Sequence, residues 1–194
     1  MKNKEWLIYT YKHRRMFVYI TRKYIKTEPA HSEMLKRAQV HDLDKMLMYL
    51  FMDQVESQMK HIQTQPHHLE SGMCESYYDK LEMVIDYECA PYTKPDKPLC
   101  AYDFLNKLCE LEYVDEETAK PLFNIMSELG IAKSYNVVTD DLEGMMYAER
   151  IAEPSEEEII DEIRNYVNQN ADIIPFTLRQ QFEAQYGTMK LNNR

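Results

Sequence analysis

All six histidines fall within the first 68 residues, and five of them (His31, His41, His61, His67 and His68) lie between positions 31 and 68 among several acids. Neutral imidazole nitrogens and carboxylate oxygens together form the donor set that mid-sized divalent ions accept. His41 is followed directly by Asp42. One such adjacency among six histidines arises by chance about a third of the time at ordinary Asp frequencies, so its meaning depends on where the pair sits. Other chemistries lack their parts. Four isolated glycines (Gly72, Gly130, Gly144, Gly187) supply no Gly-rich loop for a phosphate, which excludes Rossmann and Walker nucleotide sites. No Gly-x-Ser-x-Gly elbow occurs. Cysteines 74, 89, 100 and 109 have no paired zinc or redox spacing; they read as small buried hydrophobes without a disulfide.

The elements that must position these side chains read as helices almost throughout. A first helix over about 4–26 places Trp6, Tyr9, Met16, Phe17, Ile20 and Tyr24 on one face. Thr27 and Pro29 open a second, continuous to about residue 50, with a stripe of Leu35, Ala38, Leu43, Met46 and Leu50. Asp53 with Glu56 opens a third that stops before Pro66, and a fourth runs from about Glu75 to Cys89. The run from Pro91 to Pro98 predicts a break and a boundary between a core of residues 1–98 and a helical extension of residues 99–194. Helices then follow over Ala101–Glu112, Glu116–Leu129, Asp141–Ala152, Ser155–Asn168 and Phe176–Tyr186, with one brief strand signal at Tyr135–Thr139. The expected class is all-α.

Projection at about 100° per residue sets Asp42 within the Leu35/Ala38/Met46 stripe, and sets His13 between Trp6, Phe17, Ile20 and Tyr24. An unpaired buried carboxylate costs several kcal/mol, so Asp42 requires a metal or a basic partner; a buried His–Asp hydrogen bond linking helices meets the need as well. His31 is excluded from sharing an ion with Asp42 by distance. On one continuous helix they stand about 16 Å apart, against metal–ligand bonds of about 2 Å. His61 and the His67-His68 pair flank Pro66, whose redirection of the chain allows all three to face one site.

Composition sets the compartment and the partners. The 194 residues (23.2 kDa) are 44% hydrophobic and 29% charged, with a mean hydropathy of −0.60. No apolar run approaches the roughly 20 residues of a membrane span. Lys12, His13, Arg14 and Arg15 interrupt any leader-like stretch, so a cytoplasmic protein is expected. The net charge is −10, yet residues 1–26 carry eight Lys/Arg and one acid (+7), leaving −17 on the rest. Internal neutralisation of that basic, Tyr-rich helix is preferred over nucleic-acid binding. The acids of residues 140–162 read as a solvated face.

The order His13, His41-Asp42-Leu43-Asp44-Lys45, His67-His68, Asp86 resembles the HD-domain superfamily of metal-dependent phosphohydrolases. The segments Lys60-His61 through His67-His68-Leu69-Glu70 and Glu82-Met83-Val84-Ile85-Asp86-Tyr87 look closer still to an HD-like family found in phages and Firmicutes. The resemblance covers about residues 8–90. It implies an HD-like helical bundle with His13, His41, Asp42 and Asp86 as ligands of a first metal. His61, His67 and His68 complete a second metal or contact phosphate. It further implies Asp42 as the bridging catalytic carboxylate, and Lys45 and Arg14 as charges on a phosphorylated substrate such as a nucleotide. The ions expected are Mn²⁺, Fe²⁺, Co²⁺ or Zn²⁺ rather than Mg²⁺, and the reaction is in-line attack of activated water on phosphorus. A non-catalytic HD-like binding protein, such as a phage-encoded modulator of a host protein, and an HD-like di-iron oxygenase are the alternatives. Two departures stand out: Asp44 replaces the usual Gly or Ser, and Leu69 replaces the usual Pro. Asp86 also shares a side of its helix with Asp79 and Glu82, opposite Leu81 and Ile85, which reads equally as a solvated face.

Overall fold

Apolar residues recurring every three to four positions give α1 (Lys4–Tyr24) a face of Leu7, Met16, Phe17 and Ile20 that is fully removed from water. The inward position at its start is Leu7; Trp6, one residue earlier, is 38% exposed and meets Tyr9 edge to face. In this computed structural model, which describes residues 1–94, 97–131 and 133–187, helices account for the regular structure and no strand forms among the described residues. Among the described residues no helix is long and apolar enough to cross a membrane.

The expected second helix is two helices, α2 (Ala30–Val40) and α3 (Leu43–Phe51). The break is Asp42, which adopts the left-handed conformation (φ 60°, ψ 7°), one that L-residues rarely take and Asp tolerates better than most. Its carbonyl accepts the first bond of α3 from Met46 N–H, while its side chain makes no capping bond. Residue periodicity continues across positions 41–42 although the backbone does not.

Next come α4 (Gln54–Thr64), a 3₁₀ turn (Leu69–Ser71) and α5 (Tyr77–Thr93). Asp53 Oδ1 accepts from Glu56 N–H at the start of α4, and Ser76 and Asp79 form a reciprocal capping box at the start of α5. α5 runs on through Pro91 to Thr93, past the expected break. Pro91 removes one helical N–H, yet the turn still closes, because Lys94 N–H donates to the Ala90 and Pro91 carbonyls and both Pro91 and Tyr92 are buried. Pro95 and Asp96 of the same run lie outside the described residues.

The remaining helices are α6 (Ala101–Glu110), α7 (Glu116–Leu129), α8 (Val137–Asp140), α9 (Leu142–Arg150), α10 (Glu156–Gln169) and α11 (Phe176–Tyr186). Capping chemistry sets their ends: Asp115 accepts from Thr118 N–H, Gly130 takes φ 70° to end α7, and Ser155 with Glu158 forms a capping box. The strand signal at Tyr135–Thr139 resolves into α8, because the Asn136 side chain accepts from Val138 and Thr139 N–H; a single bridge to Leu99 is all that remains of it.

Two compact units share the chain, and they do not correspond to residues 1–98 and 99–194. Unit 1 comprises Met1–Tyr11, Val40–His61 and Glu153–Arg194; unit 2 comprises Lys12–Gln39 and Ile62–Ala152. In unit 1, Met46, Leu47 and Leu50 of α3 pack on Ile159 and Ile163 of α10 and Phe182 of α11. In unit 2, α5 is apolar on most sides and is covered by α6, α7, α8 and α9. Its fully buried Glu88 accepts from Tyr24 O–H (3.1 Å), Tyr135 O–H and Ala101 N–H (3.0 Å). Burial raises the Glu88 pKa despite these donors. Lys23 of the basic first helix is taken up inside the same unit by Asp141, at 2.6 Å, and Tyr92 O–H donates to that carboxylate too.

Asp141 also caps α9 through Gly144 N–H, which brings Gly144 so close to Tyr92 that a Cβ would overlap Tyr92 Cε1 and Asp141 Oδ2. Gly→Ala inside a helix normally stabilises by roughly 1 kcal/mol. Overpacking against a buried ring costs about 1–3 kcal/mol and reverses the sign here. Gly144→Ala is therefore expected to lower the urea midpoint of unfolding; a raised midpoint would contradict this contact.

Candidate metal centre

In unit 1 the left-handed turn at Asp42 turns its carboxylate inward, at 4% exposure, among bases from α3 and α4. Lys45 Nζ stands 3.4 Å from Asp42 Oδ2, His61 Nε2 3.0 Å from Oδ1, and His41 Nε2 3.9 Å from Oδ1. His61 is held from its other side by Asp44, whose two oxygens lie 2.9 and 3.1 Å from Nδ1. His41, Asp42 and His61 are buried and Lys45 nearly so. Burial pushes the Asp42 pKa up, but the charges of Lys45, His41 and His61 outweigh it and hold the carboxyl well below its ordinary value. Asp44 is lowered likewise, burial being overcome by His61. Burial disfavours the charged form of His61, yet the two carboxylates win and raise its pKa to about 9.

In unit 2, α1 and α5 bring His13 and Asp86 together: His13 Nε2 donates to Asp86 Oδ1 at 2.7 Å, with His13 3% exposed. Cys89, one turn beyond Asp86, places its sulfur 3.5 and 3.6 Å from the two His13 ring nitrogens and donates to the Asp86 carbonyl. His13, Asp86 and Cys89 each offer an atom within 4.8 Å of the others, close enough for one ion. The side of α5 that read equally as a solvated face is mostly buried. Asp79 and Glu82 are 8% and 6% exposed, and Arg37 of α2 bonds both, at 2.9 and 3.0 Å. Glu82 also reaches His67 Nδ1 (3.4 Å), and the rings of His67 and His68 lie 4.4 Å apart.

Thus His41, Asp42, Lys45 and His61 gather within unit 1, while His13 meets Asp86 and His67 meets His68 within unit 2. Arg14 is buried, and its guanidinium donates to the Gln39 carbonyl at 2.9 Å. His31 stands at the start of α2 with Nδ1 donating to the Ile25 carbonyl. Four residues of these clusters escaped the sequence reading as functional: Asp44, Cys89, Glu82 and Arg37. Asp44 had a signal, since it departs from the HD pattern beside Asp42. Cys89 and Glu82 sit one turn either side of Asp86, a spacing that is informative only once that face of α5 is known to be buried.

Comparison with protein-family models, curated proteins and solved structures returned no match. The chemistry therefore rests on donors and distances. Imidazole nitrogens with carboxylate oxygens and one thiol fit Mn²⁺, Fe²⁺, Co²⁺ or Zn²⁺ better than the all-oxygen preference of Mg²⁺.

The His61 shift has a measurable consequence in metal-free protein. A histidine whose folded pKa is raised from 6.5 to about 9 contributes stability that is complete below pH 6.5 and lost as pH rises through about 9. The loss amounts to about 3 kcal/mol. Denaturant midpoints measured between pH 6 and 10 are expected to fall with this profile, and His61→Gln to flatten it; an unchanged slope in the variant would refute the pairing.

Proposed function

We propose that the protein is a divalent-metal-dependent phosphohydrolase of the HD-like kind, acting on a phosphate ester such as a nucleotide. The observation that carries this reading is the Asp42 carboxylate: buried, held ionised, and turned from the helix lattice by a left-handed backbone so that it faces His41, His61 and Lys45. Buried charge together with unusual backbone geometry is the combination that active sites favour.

Within unit 1 His41, Asp42 and His61, and within unit 2 His13 and Asp86 with His67 and His68 as further nitrogens, are the donors proposed for divalent metal. When bound, a divalent ion lowers the pKa of a coordinated water and neutralises charge on phosphoryl oxygens. Asp42 would present its carboxylate without cost in backbone rearrangement. Lys45, one turn into α3, would supply a point charge for a phosphate oxygen in unit 1, and Arg14, anchored on the Gln39 carbonyl, is the cation proposed for phosphate within unit 2.

One observation favours a non-catalytic binding protein instead: Lys45 and His61 already compensate Asp42 without an ion. A di-iron oxygenase uses a similar donor set, and iron content with oxygen consumption separates it from hydrolysis.

The test is thermal unfolding of chelator-treated protein against Mn²⁺. Wild type should gain about 2.7 kcal/mol at a hundredfold excess over Kd. Asp42→Asn keeps the shape and the tolerance of positive φ while removing the charge; it should lose most of that gain and all hydrolysis in a screen of phosphomonoesters and nucleotides. Equal stabilisation of both proteins, or none in either, would overturn the proposal.

A further inference from the structure

We propose that Asp44 is a positioning residue for His61, fixing the imidazole so that Nδ1 carries the proton and Nε2 is presented beside Asp42 as a metal ligand. The inference rests on the metal-binding reading above and deepens it by assigning which atom of His61 binds and what aims it.

The geometry is local to unit 1. Residues two apart on a regular helix diverge by about 200°, so Asp42 and Asp44 would not meet one side chain if both belonged to α3. Asp42 lies outside the helix, in its left-handed turn, whereas Asp44 is the second residue of α3. Their carboxylates consequently approach the His61 ring from opposite edges: Asp42 Oδ1 at 3.0 Å from Nε2, and both Asp44 oxygens at 2.9–3.1 Å from Nδ1. The ring is 1% exposed, and its carrier α4 is otherwise exposed over most of its length, with Ser57 the only other buried residue. α4 thus buries little except this ring and Ser57.

A carboxylate is only an acceptor, so the short contacts at Nδ1 require an N–H there. The 3.0 Å contact of Nε2 with Asp42 requires an N–H by the same rule, so the metal-free ring is doubly protonated; an ion bound beside Asp42 would displace the Nε2 proton, and Asp44 would keep the one on Nδ1. A carboxylate behind a ligating histidine fixes its tautomer and orientation, and losing it typically costs 10–100-fold in metal affinity.

Calorimetric titration with Zn²⁺ alone, and ¹⁵N NMR of the Zn²⁺-loaded histidines, test the assignment on the full chain. Wild type should bind Zn²⁺ and show His61 as the Nδ1–H tautomer with Nε2 shifted by coordination. Asp44→Ala should bind 10–100-fold more weakly and lose that tautomer preference. Asp44→Asn, whose Oδ1 still accepts from Nδ1–H, should retain the tautomer and recover most of the affinity. A merely structural Asp44 would lower the melting temperature of metal-free protein and leave both the tautomer and the affinity of the folded variants unchanged; that result overturns the proposal. If Asp44→Ala does not fold, Asp44→Asn decides: a tautomer switched to Nε2–H refutes the assignment. Failure of wild type to bind Zn²⁺ or Mn²⁺ would instead remove the metal-binding reading itself.

Discussion

A carboxylate held inside the protein on a left-handed residue is the constraint from which most of unit 1 follows. Removing Asp42 from water is affordable only beside opposite charge, and the sequence provides it one turn ahead at Lys45 and across the unit at His61. The same residue lies in the break between α2 and α3, two residues after the chain enters unit 1 at Val40. Backbone geometry, charge compensation and the partition of the chain coincide there.

Unit 2 solves a related problem by a different route. α5 carries Asp79, Glu82 and Asp86 at intervals of three and four residues, a stripe that must be either solvated or matched. It is matched: Arg37 takes Asp79 and Glu82, His67 approaches Glu82, and His13 takes Asp86. Carboxylates thereby orient two of the histidines on which the functional proposal depends, while Cys89 lies against the His13 ring from the next turn.

Helix existence, the all-α class and most caps were legible because periodicity and capping chemistry are local: Ser155 with Glu158 and Gly130 after Leu129 act within four residues. The inward placement of His13 and Asp42 was legible too, although for Asp42 the continuous-helix reasoning gave the right burial through a wrong backbone. What escaped depends on partners far along the chain. Asp79 and Glu82 look solvated until Arg37, more than 40 residues away, is brought to them. Pro91 looks like a terminator until its burial is known, and Tyr135–Thr139 looks extended until the Asn136 side chain is seen to satisfy the first turn of α8. The spatial grouping of Asp44 with His61 required α3 and α4 to be placed side by side, which no spacing rule supplies.

The composition of unit 1 also carries a consequence for biosynthesis. Its core joins α3 to α10 and α11, so the apolar side of Met46, Leu47 and Leu50 gains its cover only after residues 153–187 have been synthesised. Unit 2 is complete in sequence by Ala152. On a ribosome adding residues from the N-terminus, domains form as their segments emerge. The helices of unit 2 are available to fold first, whereas the Asp42–His61 cluster waits, with its hydrophobic underside incompletely covered, for residues 153–187. Its charged centre thus matures after the helices of unit 2, and the interval before α10 and α11 emerge is one in which the nascent chain is open to aggregation or chaperone capture.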